Sequence, residues 1–267
     1  MERGVSGSGR FMDTHCHLDF SLFDSCREEL LFTARAKGVE AIVVPGVDSE
    51  RWLRQLSVCR TYSSVYPALG LHPCFIEKHN KNDLLQLEKL LQEDDVVAVG
   101  EIGLDFWPSS SLHDSQVEYF ESQLELAAEY ELPVLLHVRK AHDQVLKRLR
   151  RLQLKPGGVV HAFSGSYQQA KQYIELGFCL GVGGALTYER AKRLRKVVAS
   201  LPLSALVLET DAPDMPLAGL QGMPNRPENL PLVFDVLASL RVESAEELMR
   251  GLWDNSVRVL ALESHLE

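Results

Sequence analysis

Several features are scarce or missing in this 267-residue chain, and each absence excludes something. No stretch is long and apolar enough to read as a membrane span. The opening "MERGVSGSGR" is short, polar and glycine-rich and lacks the apolar run of a signal peptide, so residues 1–10 are expected to be a flexible tail. The five cysteines (Cys16, Cys26, Cys59, Cys74, Cys179) are odd in number and scattered, with no CxxC pair. That pattern fits a reducing interior better than a disulfide framework, so the expected location is intracellular, cytoplasmic or nuclear, and not secreted. Basic residues are outnumbered, 28 against 37, for a net charge of −9. A protein that coats nucleic acid would be basic. An enzyme whose metal ions handle phosphate need not be, because divalent ions reverse the sign of a carboxylate site. No low-complexity segment, short repeat or interdomain linker is present, and no obligate protein partner is evident, so a monomer is expected. There is also no motif-like Ser/His/Asp or Cys/His arrangement of the kind that forms a covalent intermediate.

What is present is alternation. Short apolar, β-rich runs occupy 11–20, 39–46, 65–72, 96–106, 132–138, 157–163, 177–183 and 205–211. Amphipathic runs lie between them. In 114–131, Val117, Phe120, Leu124 and Ala127 recur at helical spacing, and Asp114 can cap the start. Eight strand–helix units in about 250 residues predict a parallel sheet. Their number favours a single-domain TIM (β/α)8 barrel over residues 11–267. Runs such as "AIVV" and "PVLL" are apolar on both faces, as a strand covered by helices should be. An open doubly wound sheet is the alternative. It would usually carry a glycine-rich loop after its first strand, where this chain reads "DFSLFD".

The first run poses the functional question. If "MDTHCHLDF" (12–20) is a strand, Asp13, His15, His17 and Asp19 all point one way. Burying such groups without partners is costly. A TIM barrel places its active site at the C-terminal ends of its strands, and the other unusual polar residues lie there too. His72 ends the third run, Glu101 and Asp105 lie on the fourth, His137 ends the fifth, His161 is late in the sixth, and Glu209 and Asp211 close the eighth. His79, His113, His142 and His265 read as background.

The set His15, His17, Glu101, His137, His161 and Asp211 predicts an amidohydrolase-like site for two divalent ions, zinc, magnesium or manganese. Glu101, with two oxygens, would bridge. His15, His17 and Asp211 would hold one ion, and His137 and His161 the other. Two such ions activate a water and stabilise the leaving oxygen of a phosphodiester. Asp211 is the expected proton acceptor from that water.

These residues carry a resemblance. "DTHCHLDF", "GEIGLDF" (100–106), "LPVLLHVRKA" (132–141), "VVHAFSGS" (159–166) and "LETDAP" (208–213) resemble the TatD family of metal-dependent deoxyribonucleases, in its order and at its spacing. "GLHP" (70–73) and the helix at 116–133 are similar too, and the animal TatD-domain-containing nucleases look nearest. The likeness runs from about residue 11 to residue 260. It implies a TIM barrel, one or two divalent metals, and hydrolysis of DNA, usually as a 3′ exonuclease and in some members at abasic sites. Carried over position by position, the family's ligands fall on the same six residues. One stretch, "MPNRPENLP" (223–231), departs from the family's order, and substrate preference is the property at stake there.

Other residues carry weaker expectations. His72 and Arg139 are expected to contact substrate phosphate, the alternatives being a hydrogen bond to a neighbouring site residue for His72 and a salt bridge to Glu209 or Asp105 for Arg139. Asp105 and Glu209 are expected to orient the histidines rather than bind metal. Gly103 either leaves room for metal or is a packing position. Ser164 and Ser166 either help hold phosphate at a helix start or simply cap the helix. Cys16 is expected to pack. The basic runs at 147–151 and 190–196 read as solvated helix faces. Two rival functions stand beside the nuclease: a hydrolase of small amides, lactones or phosphoesters, and an inactive metal-binding interaction module. A large basic-rimmed opening would favour DNA, and a small closed apolar pocket the small-substrate hydrolase.

Overall fold

The structure is a computed structural model describing residues 10–107, 112–152, 154–155 and 157–266. Residues 1–9 of the predicted tail lie outside the described residues, and Arg10 is tied to Glu40 by an ion pair. Eight strands, β1 (Phe11–Asp13), β2 (Val39–Pro45), β3 (Val65–Leu69), β4 (Ala98–Asp105), β5 (Val134–Arg139), β6 (Gly158–Val160), β7 (Phe178–Val182) and β8 (Leu206–Leu208), form one sheet in sequence order. All seven ladders are parallel. The helices among the described residues are α1 (Arg27–Ala36), α2 (Trp52–Thr61), α3 (Lys81–Glu93), α4 (His113–Glu129), α5 (His142–Leu152), α6 (Tyr167–Glu175), α7 (Lys192–Ser200), α8 (Leu230–Leu240) and α9 (Ala245–Val259). This is the TIM barrel that the alternation predicts.

Two apolar zones hold it together. Side chains such as Ile42, Val44, Leu69, Ile102, Leu136 and Val160 point outward to the helices, where Trp52, Leu87, Phe120 and Leu146 are fully buried. Met12, Ala41, Val43, Ala68, Val97, Ala98, Leu135, Val159, Cys179 and Val207 form a second cluster, closed by Trp253 and Leu262. Alternation along each strand feeds both zones, which is why the strand sequences are apolar on both faces.

The strands are shorter than the apolar runs, and the difference lies at the functional end. β1 stops at Asp13, so the extended run predicted for 11–20 does not form. Beyond it the chain is stitched to the end of β8 and the segment that follows. The Thr14 N–H and hydroxyl both donate to the Leu208 carbonyl, at 3.0 and 2.9 Å. The Asp211 N–H donates to His15 O, and the His17 N–H to Ala212 O, each at 2.8 Å. Irregular backbone thus closes the barrel where its two end strands meet, and that backbone carries His15, His17 and Asp211.

Helix starts follow their caps. Ser166 and Ser244 open α6 and α9 as capping boxes with Gln169 and Glu247. For Ser166 the capping alternative is therefore the one realised. Asp114 sits in the first turn of α4 rather than at its cap.

Candidate metal centre

Glu101 lies at the middle of the mouth, 2% exposed. It occupies an irregularity of the β4–β5 register between Val99 and Ile102, a device that re-aims a side chain. Its backbone is held by the end of β2: the Glu101 N–H donates to Gly46 O, and the Gly46 N–H donates to Gly100 O. The carboxylate therefore faces two ways. Oε2 lies 3.1 Å from His15 Nε2 and 3.9 Å from His17 Nε2. Oε1 lies 2.9 Å from His137 Nδ1 and 3.4 Å from His72 Nε2.

On the Oε2 side, Asp211 Oδ1 is 3.7 Å from both His15 Nε2 and His17 Nε2, and Oδ2 is 3.5 Å from His161 Nε2. Asp211 adopts a left-handed backbone, φ 58°, which a short polar side chain tolerates. His161 stacks on His15 with ring centroids 3.6 Å apart. Two triplets bring their ligand atoms within 4.8 Å of one another here: His15, His17 and Asp211, and His15, Glu101 and His161. A third, on the Oε1 side, joins His72, Cys74 and His137. All six predicted ligands thus line one mouth, but their partition differs from the expectation. His161 groups with His15 and Glu101, while His137 groups with His72 and Cys74.

The residues fit divalent ions. His15 is fully buried, and its Nδ1 has no hydrogen-bond partner among the described residues, while its Nε2 meets only the carboxylates of Glu101 and Asp211. His17 Nδ1 likewise has no partner among the described residues. Leaving such atoms unpaired in a polar cluster is costly, and imidazole with carboxylate is a zinc-type donor set.

The field is strongly polarised. Burial alone would push the Glu101 pKa up, but His72 and His15 nearby, with hydrogen bonds from His137 and His15, hold it well below the usual carboxylate range. Burial also opposes charge on His137, yet bonds to Asp105 and Glu101 raise it to about 9. His17 goes the other way, lowered to about 3 by burial and by His15.

Asp105 and Glu209 each lie against a histidine of the cluster. Asp105 Oδ2 is 3.0 Å from His137 Nε2. Glu209 Oε1 is 3.1 Å from His161 Nδ1 and accepts from the Ala162 N–H at 2.7 Å. Arg139 lies 3.9 Å from Asp105 with over half of its side chain exposed. Gly103, at φ +145°, is a packing position, since a Cβ there would stand 2.0 Å from the His137 carbonyl oxygen.

Not every polar residue of the first run faces the mouth. Asp13 turns to Thr210, accepting from its hydroxyl at 2.5 Å and its N–H at 2.9 Å. Asp19 lines a cleft of about 470 Å³ with Phe20, Arg51, Arg54 and Pro213. The period-two reading failed here because the strand ends at Asp13. Sequence reasoning also missed Cys74, whose thiol donates to Asp105 Oδ2 at 3.1 Å. Its place two residues after His72 was the available signal. Asn225 was missed as well. It braces the Asp211 segment through the Thr210 carbonyl, at 2.8 Å, and so gives the rearranged 223–231 stretch a structural role.

Aromatic–cation pairs flank the mouth. On the β2–β3 side the Arg51 guanidinium lies 5.1 Å from the Phe20 ring and 5.9 Å from Phe75, and Phe20 stacks on His17. On the β4–β5 side Arg139 and Lys140 lie 5.8 and 5.9 Å from the exposed Trp107. No helix among the described residues is long and apolar enough to cross a membrane.

Known proteins share this sequence pattern and fold. Residues 12–261 match the family described as TatD related DNase. The Escherichia coli protein YjjV, an uncharacterized metal-dependent hydrolase, is 48% identical over 249 residues, 92% of this chain and 96% of YjjV. A 3′-5′ ssDNA/RNA exonuclease TatD from Klebsiella pneumoniae is 34% identical over 254 residues, 93% of this chain and 96% of its own. The YjjV crystal structure superposes with a TM-score of 0.92 at 47% identity, covering 95% of this chain and 98% of YjjV. A TatD-family hydrolase from Entamoeba histolytica, 22% identical with a TM-score of 0.82, shares the fold. The family match over most of the chain and these relatives agree, and the chain belongs to the TatD family of metal-dependent hydrolases.

Proposed function

We propose that this hydrolase cleaves nucleic acid phosphodiester bonds, acting on single-stranded DNA from its 3′ end, with abasic sites as a further substrate. The observation that carries the reading is the rim. Arg51 with Phe20 and Phe75 on one side, and Arg139 and Lys140 with Trp107 on the other, pair cations with aromatic faces. Bases stack on such rings while the cations meet the backbone. Such cations and rings support a nucleic acid substrate over the small closed apolar pocket expected of a small-molecule hydrolase. Relatives named as 3′-5′ ssDNA/RNA exonucleases support the same direction.

His15, His17, Glu101, His137, His161 and Asp211 would hold two divalent ions. When bound, these supply Lewis-acid stabilisation of phosphate charge and a hydroxide-like nucleophile near neutral pH. Asp211, its carboxylate kept ionised by His161 despite burial, accepts the proton of the attacking water. Glu101, with one oxygen toward each half of the cluster, holds the two halves in register. Asp105 and Glu209 orient His137 and His161. Arg139 contacts the phosphate, while His72 faces His137 and Glu101. No residue forms a covalent intermediate. The five free cysteines suit a reducing, intracellular setting, and the chain acts as a monomer.

The test is incubation of purified protein with 5′-labelled single-stranded DNA, and separately with an abasic-site duplex, in magnesium, manganese or zinc. EDTA and Glu101→Ala serve as controls. The expected result is a ladder shortening from the 3′ end, abolished by both controls. Metal-loaded protein that cuts neither substrate but hydrolyses small esters or lactones would overturn the reading in favour of the small-substrate hydrolase.

A further inference from the structure

Cys74 stands apart from the chain's other cysteines. Cys16, Cys59 and Cys179 are buried and Cys26 is partly buried, whereas Cys74 is exposed at the barrel mouth. It is carried there by the turn that His72 opens. Pro73 starts a short helical segment, Pro73–Lys78, and the Cys74 N–H donates to His72 Nδ1 at 3.1 Å. The thiol is thereby folded back toward the Oε1 side of Glu101.

The atoms on that side have the spacing of an ion's ligands. His72 Nε2, His137 Nδ1 and Glu101 Oε1 form a triangle with sides of 3.2, 2.9 and 3.4 Å. A tetrahedral zinc ion with bonds of ~2.0–2.1 Å separates its nitrogen and oxygen ligands by roughly 3.3 Å. A fourth vertex is needed, and Cys74 supplies a candidate, since one ligand atom each of His72, Cys74 and His137 falls within a common 4.8 Å.

We propose that Cys74 is a ligand at this position, joining His72, His137 and Glu101 in a mixed sulfur–nitrogen–oxygen site that favours zinc over magnesium or manganese. The inference rests on the reading that ions occupy the mouth, but not on which substrate is cut. Its physical basis is ligand softness. Thiolate and imidazole select zinc and its neighbours, whereas magnesium and manganese prefer oxygen. The other half of the mouth, with His15, His17, His161 and Asp211, offers nitrogen and oxygen alone. The two positions therefore differ in preference, and only one depends on sulfur. Ligation through Nε2 would leave the His72 proton on Nδ1 and so break the bond from the Cys74 N–H, and the thiol proton, shared with Asp105 in the metal-free protein, would pass to solvent as the thiolate engages.

The experiment is Co2+ substitution of metal-stripped protein, followed by absorption spectroscopy, a readout independent of nuclease activity. The expected result is a near-ultraviolet sulfur-to-cobalt charge-transfer band in the wild type. It should be absent in Cys74→Ser and Cys74→Ala and unchanged in Cys26→Ser. Competition titrations should show the zinc affinity of one equivalent falling by about 10–100-fold in Cys74→Ser, the range seen when a ligand shell is weakened, with manganese affinity unchanged. Cobalt bound without the band, or a band that survives in Cys74→Ser, would overturn the role of Cys74 while leaving the metal centre intact. Failure to bind cobalt at all would overturn the metal reading as well. Circular dichroism of each variant separates ligand loss from misfolding.

Discussion

Asp13 and Thr210 lock the first strand of the barrel to the end of the last. The Thr210 hydroxyl donates to Asp13 Oδ2 and its N–H to Oδ1, with both residues fully buried. His15 lies two residues after the one, and Asp211 directly after the other. The lock therefore sets the spacing between candidate ligands from opposite ends of the chain. Thr210→Val should lower stability by about 2 kcal/mol, the cost of leaving a buried acceptor unsatisfied, and should weaken ion binding. Thr210→Ser should restore both. Urea denaturation with metal titration checks this, and a Thr210→Val protein of wild-type stability and affinity would show that the lock is dispensable.

Asp211→Asn should leave the fold intact and lower turnover by about 10²–10⁴-fold at saturating metal, the usual contribution of a positioned base. Single-turnover kinetics is the appropriate measurement. Turnover near that of the wild type would assign the proton to another group.

Glu209 holds His161 from behind and packs against Gly181, where a Cβ would stand 2.1 Å from Glu209 Oε2. Glu209→Gln should weaken ion binding by about 10–100-fold without abolishing activity at high metal. Gly181→Ala should mimic it by displacing the carboxylate. Isothermal titration of both variants tests the idea, and unchanged affinity in both would confine Glu209 to a packing role.

Arg139 is largely exposed and only 3.9 Å from Asp105, so a purely structural pairing would be weak. Arg139→Ala should raise KM for single-stranded DNA roughly fivefold, about 1 kcal/mol for an exposed charge contact, with kcat nearly unchanged. A steady-state series in rising salt, in which the two proteins converge, would support a phosphate contact. An unaltered KM would leave only the pairing with Asp105.

His142 predicts how stability depends on pH. It is partly buried between Phe163 and Tyr173, and burial lowers its pKa to about 4 despite the adjacent Asp143. The folded state thus binds fewer protons than the unfolded state between pH 6.5 and pH 4. Stability is full above pH 6.5 and declines as pH falls through this window. The contribution of this one group is about 3 kcal/mol. His142→Gln should flatten the decline relative to the wild type in urea unfolding at stepped pH. Parallel curves for the two proteins would show that other groups carry it.

The sequence by itself determined the barrel and the chemical character of its mouth. Eight apolar runs alternating with amphipathic ones leave little besides a parallel sheet wrapped in helices. Candidate ligands such as Glu101 and His137 stand out because burial makes polar groups rare on such strands. What only the tertiary structure decided is where each strand stops and which ligands meet. Side-chain alternation predicts a common face for Asp13, His15, His17 and Asp19. Instead β1 ends at Asp13, because the backbone beyond it bonds across to the segment after β8. The pairing of His161 with His15, the turn that brings Cys74 beside His137, and the reach of Asn225 to Thr210 are contacts between residues distant in sequence or set by irregular backbone. No local periodicity encodes them, since they depend on how the eight strand ends converge once the barrel has closed.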